Sequence, residues 1–224
     1  MRVLGPASPD TGLNPTSTDG YARPVTTQPV PVELGQFEDL RAAASSCTSC
    51  GLSATRTQVV FGEGDPSARL LVVGEAPGAE EDRTGRPFVG RSGQLLERLL
   101  AEEAGLARSD CFIANVVKCR PPENRNPSTA EVAACRPWLD RQVALMTPAV
   151  VLTLGNFSSR LLLSTKEGIT KLRGRSYDVE IGGRPVTLVP TLHPAAVLRG
   201  GKVPMAQVRD DLRLVATRLQ EVAA

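Results

Sequence analysis

The chain has one histidine, one tryptophan, two tyrosines and five phenylalanines in 224 residues. Imidazole and aromatic chemistry are therefore scarce, and such a residue in a loop carries weight. No apolar run approaches the roughly 18 residues a membrane-spanning helix requires, so no transmembrane helix is expected. The N-terminal MRVLGPASPD lacks the apolar core of a secretory signal, which leaves the cytoplasm as the expected compartment. Charge of one sign is missing too: 26 Lys and Arg stand against 24 Asp and Glu, a net +2, which gives no global argument for a polyanionic partner. Five cysteines, an odd number in an expectedly reducing compartment, argue against a disulfide framework and toward a metal or cluster site.

What is present reads as a soluble α/β protein. Residues 1 to 32 hold six prolines among Gly, Ser, Thr and Asp, a composition that cannot repay the entropy of ordering, so a disordered tail is expected there and a single domain over 33–224. Leu34, Phe37 and Leu40 have helical spacing ahead of Cys47. The segments 69–73, with its apolar run Leu70 to Val73, 111–117 and 149–154 read as buried strands, and 176–181 with 185–190 flank Gly182-Gly183 as a hairpin. Helices are expected over 92–104, from Ser128 to Met146, from Gly155 to Leu163, and over 204–222. This alternation predicts a three-layer α/β/α sandwich with a short, mostly parallel central sheet.

The stretch 70–93, LLVVGEAPGAEEDRTGRPFVGRSG, runs a strand into a loop rich in glycine and carboxylates. Gly74 frees the backbone to turn, Pro77 fixes one φ, and Gly78 leaves room for a ligand, at the strand end where open α/β sheets bind theirs. Cys47 and Cys50 form a Cys-x-x-Cys pair, Cys119 and Cys135 a wider one, and Cys111 falls within a strand as core. Four thiolates suffice for a 4Fe-4S cluster or a structural zinc, and the wide second spacing matches neither common zinc pattern.

With GEAPGAEED, GRPFVG, NVVKCRPPENRNP and TLHPA in this order, the chain resembles the family 4 uracil-DNA glycosylases, the iron-sulfur branch of that superfamily, over about Cys47 to Leu214. The resemblance implies the α/β/α glycosylase fold, excision of uracil from DNA to start base excision repair, and a 4Fe-4S cluster on Cys47, Cys50, Cys119 and Cys135. The expected partner is uracil-containing DNA, single- or double-stranded, bound by a monomer. Such an enzyme flips its target base and reads its Watson-Crick edge. Phe88, as an exposed loop ring, can supply a stacking face. Asn115, an amide in an apolar strand, can accept from the uracil imide N–H and donate to the neighbouring carbonyl, a pattern cytosine cannot match. His193 falls at the histidine that, in the family, lies beside the uracil oxygen nearest the sugar. Ala76 stands where family 1 enzymes carry a water-activating aspartate, so Glu75, Glu81 or Asp82 is left to orient water, with Glu81 also placed to crowd thymine's methyl. The uracil-binding set is thus Glu75, Ala76, Phe88, Asn115 and His193, and the catalytic set His193, Glu75 and Glu81. Arg83, Arg86, Arg91, Lys118, Arg120, Arg125, Arg173, Arg175, Arg199 and Lys202 lie in or beside the motif loops as candidate phosphate contacts. Val197 and Leu198 are candidates for the wedge that fills the vacated stack. A branch that captures the sugar covalently uses a histidine in an inserted basic loop, and neither occurs after Lys118. The rival from another class is a non-catalytic, cluster-bearing DNA-binding module.

Overall fold

A computed structural model describes residues 34–222, so the tail expected over 1–32 lies outside the described residues. Six strands form one sheet: β1 (Glu63–Gly64), β2 (Leu70–Gly74), β3 (Cys111–Asn115), β4 (Val150–Leu154), β5 (Tyr177–Ile181) and β6 (Arg184–Thr191). Their order across the sheet is β1-β3-β2-β4-β6-β5. The four central strands are parallel, and the short β1 and the hairpin strand β5 pair antiparallel at the two edges.

Side chains alternate across a strand, so each apolar run feeds two cores. Leu71, Val73, Phe112, Ala114, Val151 and Leu188 face one side and pack with α1 (Leu34–Ser45) and α4 (Thr129–Met146). Leu70, Val72, Ile113, Val150, Leu152 and Val189 face the other and pack with α3 (Arg91–Ala104) and α8 (Lys202–Glu221). The result is the expected three-layer sandwich. Cys111 belongs to the second core, where burial pushes its thiol up to about 12.

The structure departs from the sequence expectations in places that shape the site. Strand β3 ends at Asn115, not at 117; Val116 and Val117 leave the ladder but donate their N–H groups to the carbonyls of Gly74 and Glu75. The stretch after Gly78, expected as loop, contains α2 (Ala79–Thr84), whose polar AEEDRT has no apolar stripe to announce it. Its start is fixed by the Glu81 carboxylate, which accepts from the Gly78 N–H at 3.1 Å. Likewise α7 (Pro194–Gly200) begins directly after His193, with Pro194 at its first position, where a missing N–H costs nothing. The remaining helices are α5 (Asn156–Leu162) and α6 (Ile169–Leu172). Among the described residues, no helix is long and apolar enough to cross a membrane.

Candidate active site

The carboxyl ends of β2, β3 and β6 open onto a cleft of about 660 Å³ lined by Glu75, Ala76, Phe88, Asn115 and His193, among others. Each reaches it for a local reason. Gly74 and Asn115 are paired in register, and a Cβ on Gly74 would lie 2.3 Å from Asn115 Oδ1 and 2.6 Å from the Phe88 ring. Gly74 is thus the floor that lets amide and ring approach each other, and not the sharp turn its sequence suggests. Gly74→Ala is expected to push both apart and to destabilise the protein by about 1–3 kcal/mol, as overpacking does; thermal melting together with an activity assay checks it.

Phe88 is buried, 6% exposed, which corrects the expectation of an exposed ring. Its backbone sits at φ +52°, a left-handed conformation uncommon for a bulky residue. This turns the ring inward, 5.9 Å from the His193 ring centroid and tilted 33° to it.

Asn115 is 2% exposed, and its Oδ1 is buried with no hydrogen-bond partner. An orphaned buried acceptor costs about 1–3 kcal/mol, so its presence at the cleft wall calls for a ligand donor.

His193 caps α7: its Nδ1 accepts from the Ala195 N–H at 3.1 Å. In the neutral ring that assigns the proton to Nε2, which makes Nε2 a donor. Burial, then the Arg199 guanidinium, hold the imidazole below its ordinary value against the pull of Glu81.

The carboxylates divide. Burial raises the Glu75 carboxyl above its ordinary value, and Glu75 lines both this cleft and an adjoining groove of about 440 Å³ that also holds His193, Asn126 and Phe157. Glu81 also lines the cleft, but its two oxygens accept from the backbone N–H groups of Gly78 and Val89 at 3.1 and 3.2 Å. Asp82 is buried and accepts from the Thr57 N–H with both oxygens, so it braces the fold away from water. Asn126, which lines cleft and groove, was missed; the polar NRNP loop was the available signal.

Comparison with known proteins identifies the family. The family model of the uracil DNA glycosylase superfamily matches residues 61–213. A type-4 uracil-DNA glycosylase of Sulfurisphaera tokodaii is 44% identical over 169 residues, 74% of this chain and 77% of the relative. Another from Thermotoga maritima is 49% identical over 154 residues, 68% and 78% of the two chains. One from Saccharolobus solfataricus is 46% identical over 156 residues, 68% and 72%. The chain belongs to the type-4 branch of the uracil-DNA glycosylase superfamily.

Type-4 membership directs attention to the cysteines. Cys47, Cys50, Cys119 and Cys135 line one small cavity with Arg56, Lys118 and Trp138, and all five cysteines of the chain are free thiols. Arg56 donates to Cys119 Sγ at 3.3 Å and the Lys118 N–H to Cys135 Sγ at 3.2 Å. A four-iron cluster takes one thiolate per iron, and N–H groups aimed at the sulfurs suit it. The donor set fits such a group.

Two of the candidate phosphate contacts of this type-4 chain prove structural. Lys118 is 1% exposed; its Nζ donates to the Asn115 carbonyl at 2.9 Å and to Gln142 Oε1 at 2.5 Å. Arg173 forms a two-pronged pair with the buried Asp211. Arg83, Arg86 and Arg125 are ion-paired with Glu80, Glu63 and Glu131. Arg199 lines the cleft, while Arg91 and Lys202 are exposed. Of the wedge pair, Val197 is core, and Leu198, next in sequence to the cleft-lining Arg199, is 49% exposed.

Proposed function

We propose that this chain is a uracil-DNA glycosylase that flips uracil from DNA, hydrolyses its N-glycosidic bond and leaves an abasic site for base excision repair. The observation that carries the reading is the orphaned Asn115 Oδ1 at the wall of a cleft shared with the His193 ring. Uracil supplies what that oxygen lacks: its N3 bears a hydrogen, whereas cytosine N3 bears none. The Phe88 ring forms the stacking face, Ala76 a flat apolar contact, and Glu81 fixes the loop carrying Val89 from within the cleft wall, which deepens its role beyond the carboxylate that crowds thymine's methyl.

The bond from C1′ to N1 breaks with its electron pair leaving on uracil, and the His193 Nε2–H donates to the carbonyl oxygen nearest the sugar as that charge collects. A neutral imidazole serves, because the donor is fixed before the charge appears. Glu75 remains the carboxylate to orient the water that adds to the cation-like sugar, to offset the sugar's charge and to take the proton that water loses, while the uracil anion takes up a proton from solvent after it departs. Arg199, Arg91 and Lys202 are the phosphate contacts, and Leu198 is the wedge. In this reading the enzyme acts as a monomer whose single glycosylase domain spans 33–224. The reading places the enzyme in the cytoplasm, a reducing compartment in which cysteines stay available as thiolate ligands.

Cys47, Cys50, Cys119 and Cys135 would hold the 4Fe-4S cluster. When bound, it supplies a covalent brace between the segment around Cys47 and Cys50 and the segments carrying Cys119 and Cys135. Cys119→Ser is expected to lose the visible thiolate-to-iron absorbance and bound iron, while Cys111→Ser, in the opposite core, keeps both; iron analysis with an absorbance spectrum checks the pair.

The function is tested by incubating the protein with a uracil-containing oligonucleotide and treating with alkali. Strand scission at the uracil supports hydrolysis. Intact strands with retained DNA binding would support the non-catalytic binder instead.

A further inference from the structure

We propose that Arg108 is a positioning residue that holds Phe88 in its inward, left-handed conformation and so sets how firmly the cleft grips a flipped base. Its effect on excision rests on the reading of Phe88 as the stacking face.

Arg108 lies in the short turn just before β3 and is not among the residues that line the cleft. It reaches the Phe88 loop from behind. Its Nη2 donates to the Pro87 carbonyl at 2.6 Å and to Glu63 Oε2 at 2.8 Å, and its Nη1 donates to the Phe88 carbonyl at 3.2 Å and to Glu97 Oε1 at 2.6 Å. Two carboxylates thus aim a planar fork at two consecutive carbonyls, a fit that an ammonium on a flexible stem does not reproduce. The side chain is only 17% exposed, so the bonds are little screened.

The clamp acts where the loop most needs it. A phenylalanine at φ +52° persists only if its surroundings hold it there. Glu81 holds the next residue through the Val89 N–H. Gly93 at the start of α3 permits close approach, since a Cβ there would lie 1.7 Å from the Phe88 carbonyl oxygen. Arg108 alone among these bonds the Pro87 and Phe88 carbonyls with a charged donor. Without it, those carbonyls lose their fixed direction, the loop relaxes toward an ordinary φ, and the ring leaves its place beside His193.

The test compares Arg108→Gln, Arg108→Lys, Phe88→Ala and the double variant Arg108→Gln/Phe88→Ala. Single-turnover excision, DNA affinity and amide hydrogen exchange at residues 86–90 are measured for each. For Arg108→Gln the expected result is excision slowed by about 10- to 100-fold, the scale of a misplaced contact, with affinity for uracil-free DNA unchanged and faster exchange confined to 86–90. Arg108→Lys recovers part of the rate. In the Phe88→Ala background the same substitution costs less than about twofold, because both act through one ring. Losses that multiply in the double variant, or exchange at 86–90 equal to wild type, would overturn the proposal. A wild-type protein inactive on uracil would refute the functional reading, and the exchange measurement would still decide the clamp.

Discussion

Asn115→Ala is expected to slow uracil excision by about a hundredfold or more, the scale on which polar-built sites depend on a polar partner, while general DNA affinity hardly changes and thermal stability does not fall. The three readouts separate because the side chain has no internal task that the structure depends on. Its Oδ1 is buried without a partner, so truncation removes an unsatisfied acceptor and relieves a desolvation penalty instead of breaking a native bond. The part of Asn115 that does hold the fold is its backbone carbonyl, which accepts from Lys118 Nζ, and alanine keeps that carbonyl. Affinity for DNA comes from phosphate contacts on other residues. Single-turnover kinetics, a binding titration and a melting curve on one variant read all three. A fall in stability that tracks the fall in rate would show that Asn115 is a structural amide.

His193→Ala is expected to lower the excision rate by about 10²- to 10³-fold, the usual loss when one fixed donor to a developing oxyanion is removed. The ring is tied to the Ala195 N–H through Nδ1, so its donor side is set before substrate arrives. The pH dependence assigns the carboxylate as well. Burial raises Glu75, so its proton is lost only above the ordinary value of 4.5, and the wild-type rate rises with pH through that raised value. This acid limb is expected to persist in His193→Ala and to vanish in Glu75→Gln. The sign for His193 concerns stability. Its folded value lies below the ordinary 6.5, so the unfolded chain takes up the proton first, and the stability present above 6.5 is lost as pH falls through the folded value.

Much of this site was legible because its strands are nearly pure apolar runs. In such runs the polar exceptions are conspicuous: Asn115 ends β3, and Glu75 directly follows β2. The lone histidine stood out for the same reason of scarcity. What could not be read was direction. Phe88 looked like an exposed loop ring, but the reversal of one φ angle turns it inward, and local sequence does not announce that reversal. Lys118 looked like a phosphate contact, but three residues past Asn115 the chain is still threading the interior, and Gln142 from α4 supplies the acceptor that makes burial tolerable. Arg173 looks like another phosphate contact in sequence because its partner Asp211 lies 38 residues away on α8. The short helices α2 and α7 escaped because their capping groups, Glu81 and His193, are the very residues read as chemistry.

The central claim is that one cleft wall reads uracil through Asn115 while His193 awaits the charge on the departing base. A crystal structure with a uracil-containing oligonucleotide whose glycosidic bond is blocked by 2′-fluorination of the sugar tests it most directly. The account predicts uracil stacked on Phe88, its N3–H on Asn115 Oδ1 and its sugar-proximal oxygen on His193 Nε2. Uracil bound elsewhere, or a flipped base with Asn115 Oδ1 still unpartnered, would contradict it.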